Sequence, residues 1–402
     1  KAAFVETHQV PADFTSVRMN QYKPFEHATH PFMHTMSPVD WCEEGFYLTG
    51  RPSFVVDPLW HAGAYYVQEA SSMFLHTIIS QLADTEKYYK VLDLCAAPGG
   101  KTTLLANYFK NGLVVANETI KSRNAILEEN CIRWGSDHIV VTQNDPSHFK
   151  ALPNFFDFII ADAPCSGSGM FRKDPQAIQE WSEENVLHCS QRQTRIVEES
   201  IAALQEGGYY IYSTCSYSFE EDEKIMDEIA AMEGMTSVSI QLPSSSQIVS
   251  TFSPIHKAEG FRFYPDKIKG EGFFIAVFQK QKAAYTSLFS TPFQFTLLPK
   301  KVLATLTAMY AFPEQFICIQ HQEDLIALPA NCYADLQTIR AHLYVKKIGM
   351  RIGTLKGSDL VPAHDLVMSQ WTAMPYENIE VELSDALQFL RRADFQLNGP
   401  KG

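Results

Sequence analysis

Between residues 90 and 215, five short apolar runs alternate with longer segments whose apolar positions recur at helical spacing. The runs are Val91-Leu92-Asp93-Leu94-Cys95, Gly112 to Glu118, His138-Ile139-Val140-Val141-Thr142, Phe156 to Ala161 and Tyr209-Tyr210-Ile211-Tyr212. They predict strands, of which Phe156 to Ala161 reads as fully buried. Between them, Lys101 to Phe109, Lys121 to Trp134 and Ser182 to about Leu204 predict helices. Gly135 stops the second of these, Ser182 caps the third, and Gly207-Gly208 is expected to end it. Strands alternating with helices predict an α/β fold on a mostly parallel sheet. A charged helix is expected over Glu220 to Met232, and a Ser- and Pro-rich loop over residues 243–259. Phe261-Arg262-Phe263-Tyr264 and Gly272 to Phe278 then predict a closing antiparallel hairpin, which makes the sheet mixed.

The flanks are less regular. Residues 1–60 mix Pro, His and aromatic residues with strand-like pieces such as Ser16-Val17-Arg18-Met19-Asn20, and predict a small α+β extension. Tyr65 to Met73 leads into an amphipathic helix ending near Leu82, with Met73, Phe74, Ile78 and Leu82 toward a sheet. The pattern breaks from Ala283 to Pro292, which predicts a linker, and the remainder reads as short strands and turns. The expected division is 1–60, 61–281 and 290–402. No run of 18 apolar residues exists, so a membrane span is not expected. The first residues lack the apolar region of a signal peptide and an initiator Met, so the native N-terminus is expected upstream.

Charge changes the picture. The net charge is -13, with 33 basic and 46 acidic residues. Any affinity for nucleic acid must then come from local patches. Phe171-Arg172-Lys173-Asp174 is one. Another is the segment holding Arg340, Lys346, Lys347, Arg351 and Lys356, with no acid between Asp335 and Asp359. The alternative for that segment is an ordinary solvated face. The eight cysteines include no CxxC pair, which argues against a zinc ribbon or a disulfide framework and fits a reducing cytosol. His27, His30 and His34 have a helical metal-ligand spacing. Pro24, Pro31 and Pro38 break any such helix, so these read as solvated loop histidines and no metal site is expected.

The chemistry gathers at strand ends. Ala96-Ala97-Pro98-Gly99-Gly100 joins a strand to a helix, the first unit of a nucleotide-binding sheet. Free amides at that helix start suit a carboxylate or phosphate. Glu118, 18 residues after Gly100, can accept from ribose hydroxyls, and Asp145 lies where an adenine would reach. Gly99-Gly100-Lys101-Thr102 also suggests a phosphate loop. That pattern requires Gly where Cys95 stands, and Pro98 removes an amide the phosphates would need. Asp162-Ala163-Pro164-Cys165-Ser166-Gly167-Ser168-Gly169 follows the fourth strand, and Ser213-Thr214-Cys215-Ser216 the fifth. Two thiols and a carboxylate at strand ends fit methylation of a pyrimidine. Carbon 5 of cytosine or uracil is too poor a nucleophile until a thiolate adds at carbon 6. A carboxyl then holds the ring, and a second base removes the carbon 5 proton. Cys215, Asp162 and Cys165 fit these roles.

Asp93 to Thr102, Asp162 to Gly167 and Ser213-Thr214-Cys215, in this order, resemble the RNA (cytosine-5)-methyltransferases of the Sun/RsmF family. The resemblance runs from about Ser16 to Lys280 and includes Tyr66 to Ser72. It implies a Rossmann-like S-adenosylmethionine-dependent methyltransferase fold. Cofactor contacts are expected at Cys95, Ala96, Ala97, Pro98, Gly99, Gly100, Lys101, Glu118, Asp145 and Asp162. It implies Cys215 as nucleophile, with Cys165 assisting release; DNA enzymes of the same chemistry use the Pro-Cys thiol instead. Gly349 to Gly353 and Leu360 to Leu366 are similar to the PUA-like RNA-binding part of RsmF-type enzymes, whose N-terminal helical segment is expected to be truncated here. RNA contacts are expected at Arg172, Lys173, Lys346, Lys347 and Arg351. The implied substrate is small-subunit (16S) ribosomal RNA, free or in the subunit, acted on by a cytoplasmic monomer. A tRNA methyltransferase and a non-catalytic RNA-binding assembly protein are the alternatives, and the intact pair of thiols argues against the second.

Overall fold

The computed structural model describes residues 2–27, 30–281, 293–310, 315–356, 359–370 and 379–394. The linker expected over Ala283 to Pro292 lies outside them. An N-terminal sheet comprises β1 (Phe14–Met19), β2 (Ser37–Val39), β3 (Cys42–Thr49) and β4 (Tyr65–Val67), in the order β2-β3-β1-β4. Because β4 pairs with β1, this unit extends past the expected boundary at residue 60.

The central sheet contains β5 (Lys90–Asp93), β6 (Leu113–Asn117), β7 (Ile139–Thr142), β8 (Phe156–Asp162), β9 (Leu204–Thr214), β10 (Met235–Ser237), β11 (Val249–Phe252), β12 (Glu259–Phe263) and β13 (Phe273–Lys280). Its order is β11-β12-β13-β9-β8-β5-β6-β7, with β10 beside β13. The strands from β9 through β7 run parallel, as the uniformly apolar runs require, and β13 joins antiparallel to β9. The strand order reverses at β5, so the carboxyl ends of β5 and β8 form the switch point where such sheets bind ligands.

Alternation along each strand fills two cores. Val91, Val114, Val141, Phe158 and Ile160 pack against the helices Leu75–Leu82, Gly100–Tyr108 and Lys121–Trp134 on one face. Leu92, Val115, Val140, Ile159 and Tyr210 face Glu183–Ser200 and Glu223–Ala230 on the other. Gly135 and Ser182 cap as expected. Three expectations fail. The long helix ends at Ser200, and Gly207-Gly208 lie inside β9. The helix expected from Glu220 begins at Glu223, and the Ser-rich loop contains β11.

The C-terminal region forms a sheet of β14 (Phe316–His321), β15 (Asp324–Pro329), β17 (Met350–Lys356) and β18 (Asp359–Pro362). It is more closely joined to the centre than a linker predicts. Its strand β16 (Val345–Lys347) pairs antiparallel with β7 and covers what would be an open sheet edge. Asn144 fixes that junction by bonding both Tyr344 O and Tyr344 N at 3.0 Å. Tyr88 Oη donates to Asp335 Oδ2 at 2.6 Å, and Lys90 lies 3.6 Å from the same carboxylate. Among the described residues no helix is long and apolar enough to cross a membrane.

Candidate active site

β8 and β9 lie side by side in parallel, with Asp162 opposite Ser213. The two loops that follow therefore leave the sheet at the same height. Their cysteines meet: Cys165 Sγ and Cys215 Sγ are 3.0 Å apart. The hydrogen bond to Cys215, then burial, raises the Cys165 thiol well above its ordinary range. That favours the proton staying on Cys165. Gly169 lets the loops close, because a Cβ there would lie 2.5 Å from Gly272 O and 2.8 Å from Cys215 O. Its amide donates to Cys215 O at 2.8 Å.

Asp162 sits between two partners. Lys101 Nζ is 2.7 Å from Oδ2, and Ser213 Oγ donates to Oδ1 at 2.7 Å. This ties the glycine turn after β5 to the thiol loops. Two hollows meet at Cys95. The larger, about 180 Å³, is lined by Gln68, Asp93, Ala96, Pro98, Lys101 and Asp162 among others. The smaller, about 70 Å³, is lined by Glu118, Asp145, Pro164 and Arg195 among others. The first hollow gathers Cys95 to Pro98, Gly100, Lys101 and Asp162, and the second gathers Cys95, Glu118 and Asp145.

The donors and acceptors of these hollows suit a sulfonium nucleoside with an amino-acid tail. Among the described residues the buried Asp93 Oδ1 meets no hydrogen-bond partner, while Oδ2 accepts from Thr102 at 2.6 Å. Burial raises the Asp93 carboxyl to about 7 despite that bond. A ligand ammonium would satisfy the orphaned oxygen and oppose that rise. Glu118 accepts from Ile120 N at 2.9 Å and faces Arg123 at 3.2 Å. Asp145 accepts from Ser147 N at 3.1 Å and from Arg195 at 2.7 Å. Against the penalty of burial, these bonds hold Asp145 below the usual carboxylate range.

Several supporting residues escaped the sequence reading. Arg18, 1% exposed, donates from Nε to Gln68 Oε1 at 2.9 Å and from NH2 to Thr103 Oγ1 at 2.5 Å. It thereby binds the N-terminal sheet to the glycine turn, although burial lowers its pKa to about 10. Glu221 also went unnoticed in the acidic run after Cys215. The only signal for Arg18 was a cation within a strand-like run.

The expected RNA-contacting cations separate. Lys173 and Lys346 are exposed. Arg172 is not free for RNA: its side chain is 7% exposed and pairs with Glu271 at 3.0 Å. Lys347 is buried, donates to Gly349 O at 2.5 Å and faces Asp365 at 4.0 Å. Both were read as free because the carboxylates that hold them, buried Glu271 and half-buried Asp365, are distant or inconspicuous in sequence. Arg351 is half exposed and bonds Asp324 at 2.7 Å. His30 corrects another expectation: it is buried, with Nε2 3.2 Å from Asp57. Cys42, Glu44 and His76 place ligand-type atoms within 4.8 Å of one another. Glu44 there accepts from Gln21 and Cys42, beside His76 at 3.5 Å.

Comparison with known proteins adds the following. The family profile described as 16S rRNA methyltransferase RsmB/F matches residues 79–279, and the N-terminal domain of 16S rRNA methyltransferase RsmF matches residues 1–70. The chain is 31% identical to ribosomal RNA small subunit methyltransferase F of Aliivibrio salmonicida, over 88% of this chain and 77% of that one. It is 29% identical to the protein of that name from Aeromonas hydrophila, over 94% and 82%. A methyltransferase homolog from Pyrococcus horikoshii superposes with a TM-score of 0.57 at 28% identity, over 69% of this chain and 90% of that one. NSun6 from Pyrococcus horikoshii, solved with SFG, shares the fold, with a TM-score of 0.57 at 19% identity over 70% and 94%.

Proposed function

Because the chain belongs to the RsmB/F family of 16S rRNA methyltransferases, we propose that it moves a methyl group from S-adenosylmethionine to carbon 5 of a cytosine in 16S ribosomal RNA. The observation that carries this reading is the pair of thiols 3.0 Å apart at the ends of β8 and β9, beside Asp162 and the Cys95 cleft. S-Adenosylmethionine supplies an electrophilic methyl group when bound. The residues fit it: amides of Gly99 to Lys101 for its carboxylate, Asp93 and Asp162 toward its ammonium, Glu118 for its ribose and Asp145 for its adenine.

The rest is done by the chain. The Cys215 thiolate adds to carbon 6 of the cytosine, and the electron pair moves to carbon 5. Asp162 bonds the ring edge and steadies the adduct. Carbon 5 takes the methyl group, leaving the donor as a neutral thioether. Once Cys215 is itself a thioether, the largest influence raising the Cys165 thiol is gone. Cys165 can then give its proton to solvent, accept the carbon 5 proton and let Cys215 leave. The base must be unpaired or flipped to reach these sulfurs, at a cost of a few kcal/mol, roughly, if it starts stacked.

We read residues 290–402 as the PUA-like RNA-binding part, 1–67, through β4, as the N-terminal unit and 68–281 as the methyltransferase domain. Lys173 and Lys346 are the phosphate contacts of this reading, and Arg351 joins them by exchanging Asp324 for RNA. The protein acts as a monomer in the cytoplasm. The test is transfer of tritiated methyl to 16S RNA, alone and in the small subunit, followed by nucleoside analysis. Label in 5-methylcytosine is expected. Label confined to tRNA, or to another nucleoside, would overturn the assignment.

A further inference from the structure

Glu221 is fully buried, yet no step of the reaction above uses it. It stands in Ser218-Phe219-Glu220-Glu221-Asp222-Glu223, directly after the Cys215 loop. Its neighbours Asp222 and Glu223 are taken up by Arg262, at 3.0 Å and as a two-bond fork respectively. Among the described residues no cation pairs with Glu221. Its carboxylate instead collects four donors from three parts of the site. Oε1 accepts from Ser166 N at 2.7 Å and from Gln193 Nε2 at 3.2 Å. Oε2 accepts from Ser166 Oγ and from Ser216 Oγ, each at 2.5 Å.

Ser166 and Ser216 each follow one of the two cysteines. Gln193, on the helix Glu183–Ser200, also donates to Pro164 O at 2.9 Å, on the other side of Cys165. One carboxylate therefore grips both thiol-bearing loops at the residue next to each sulfur. We propose that Glu221 is the positioning residue of the two-thiol site: it fixes the separation and orientation of Cys165 and Cys215. The proposal rests on the two-thiol reading above.

The geometry explains why an acid stands there. The Ser166 backbone amide can only donate and Gln193 presents its NH2, so the centre accepts from both at once. Two hydroxyls then point inward as well, and a carboxylate accepts all four. A glutamine would present two donors of its own. It would keep the volume but would set its NH2 against these donors, so that Gln193 or the serine hydroxyls must turn or a loop must move. The negative charge is also one of the influences raising the Cys165 thiol, after the Cys215 bond and burial.

The experiment uses the full chain with Glu221→Gln and Glu221→Ala, and needs two readouts. The first is the pH profile of Cys165 and Cys215 alkylation by iodoacetamide in the RNA-free protein, read by peptide mass spectrometry. Removing the charge should shift the Cys165 profile to lower pH in both variants. The second is methyl transfer to 16S RNA. A displaced thiol should lower kcat about 10²-fold in Glu221→Ala, with Glu221→Gln intermediate and the KM for S-adenosylmethionine little changed. A Cys165 profile identical to the parent's in Glu221→Gln overturns the proposal, whatever turnover does. So does parental kcat in Glu221→Ala. If Glu221→Ala does not fold, judged by its melting curve, Glu221→Gln decides alone. Failure of the two-thiol reading is separate: it would appear as methyl transfer by Cys215→Ala, which the alkylation readout does not involve.

Discussion

The two flanks of the parallel strands end differently. At β8 and β9 the strands run side by side, and their carboxyl ends set Asp162 beside Ser213 and Cys165 against Cys215. At the far flank, β7 is closed by the antiparallel strand β16, where Lys347 is folded away beneath Gly349 and Asp365 while its neighbour Lys346 is exposed. Both segments drew notice in the sequence for their side chains. The difference teaches that a polar group at a parallel strand's carboxyl end is placed to act. A charge count on a short strand says nothing until its partner strand is known.

Five changes sharpen that contrast. Asp162→Asn should have the largest effect. It removes the charge that holds Lys101 and the proposed grip on the base, and kcat should fall ~10²–10⁴-fold, the range of a positioned acid or base. A change below threefold would remove Asp162 from the chemistry. Glu118→Ala should weaken S-adenosylmethionine binding at least about tenfold by calorimetry, since charged hydrogen bonds of ~1.5–3 kcal/mol are lost. Unchanged affinity would place the ribose elsewhere.

Asp93 gives a pH signature. Its folded pKa is raised to about 7, so the folded state binds that proton more tightly than the unfolded chain does. Its unfavourable contribution is absent below the unfolded value of ~3.9, grows as pH rises and levels off above about 7. Asp93→Asn should therefore melt higher than the parent at pH 8 without ligand, with a gap that closes near pH 4. A gap of constant size would refute the assignment.

The smallest effects separate neighbouring lysines. Lys346→Ala should lower the salt slope of RNA binding by up to ~0.7 and leave stability unchanged. Lys347→Ala should leave the slope alone and cost ~1–3 kcal/mol of stability, because Gly349 O and Asp365 lose a buried partner. Matching effects at the two positions would erase the distinction between exposed and folded-away charge.

What could be read from sequence follows the same line. The five buried strands, the turn at Gly99 and Gly100 and both cysteines were legible, because uniformly apolar runs and the residues that end them are local signals. The end of the long helix was not. Gly207 and Gly208 read as a helix stop but lie within β9, where the register against β8 shifts between Phe156 and Phe158. Gly207 has φ +78°, and a Cβ on Gly208 would meet Asp157 O at 2.8 Å, so the pair belongs to a bulge. β11 hid in a Ser-rich segment because it is an edge strand with no fully buried residue. Arg18, Arg172 and Lys347 were opaque for another reason. Their roles depend on Gln68 and Thr103, Glu271, and Asp365, and only the fold brings the more distant of these together.

The central claim is that two adjacent thiols divide one reaction, and trapping tests it most directly. Full-length Cys165→Ala and Cys215→Ala would each be incubated with S-adenosylmethionine and 16S RNA offering an accessible cytosine, then run under denaturing conditions. The account predicts a covalent protein–RNA species with Cys165→Ala, which adds to the base but releases slowly, and none with Cys215→Ala. A species that forms with Cys215→Ala and not with Cys165→Ala would contradict it and make Cys165 the nucleophile.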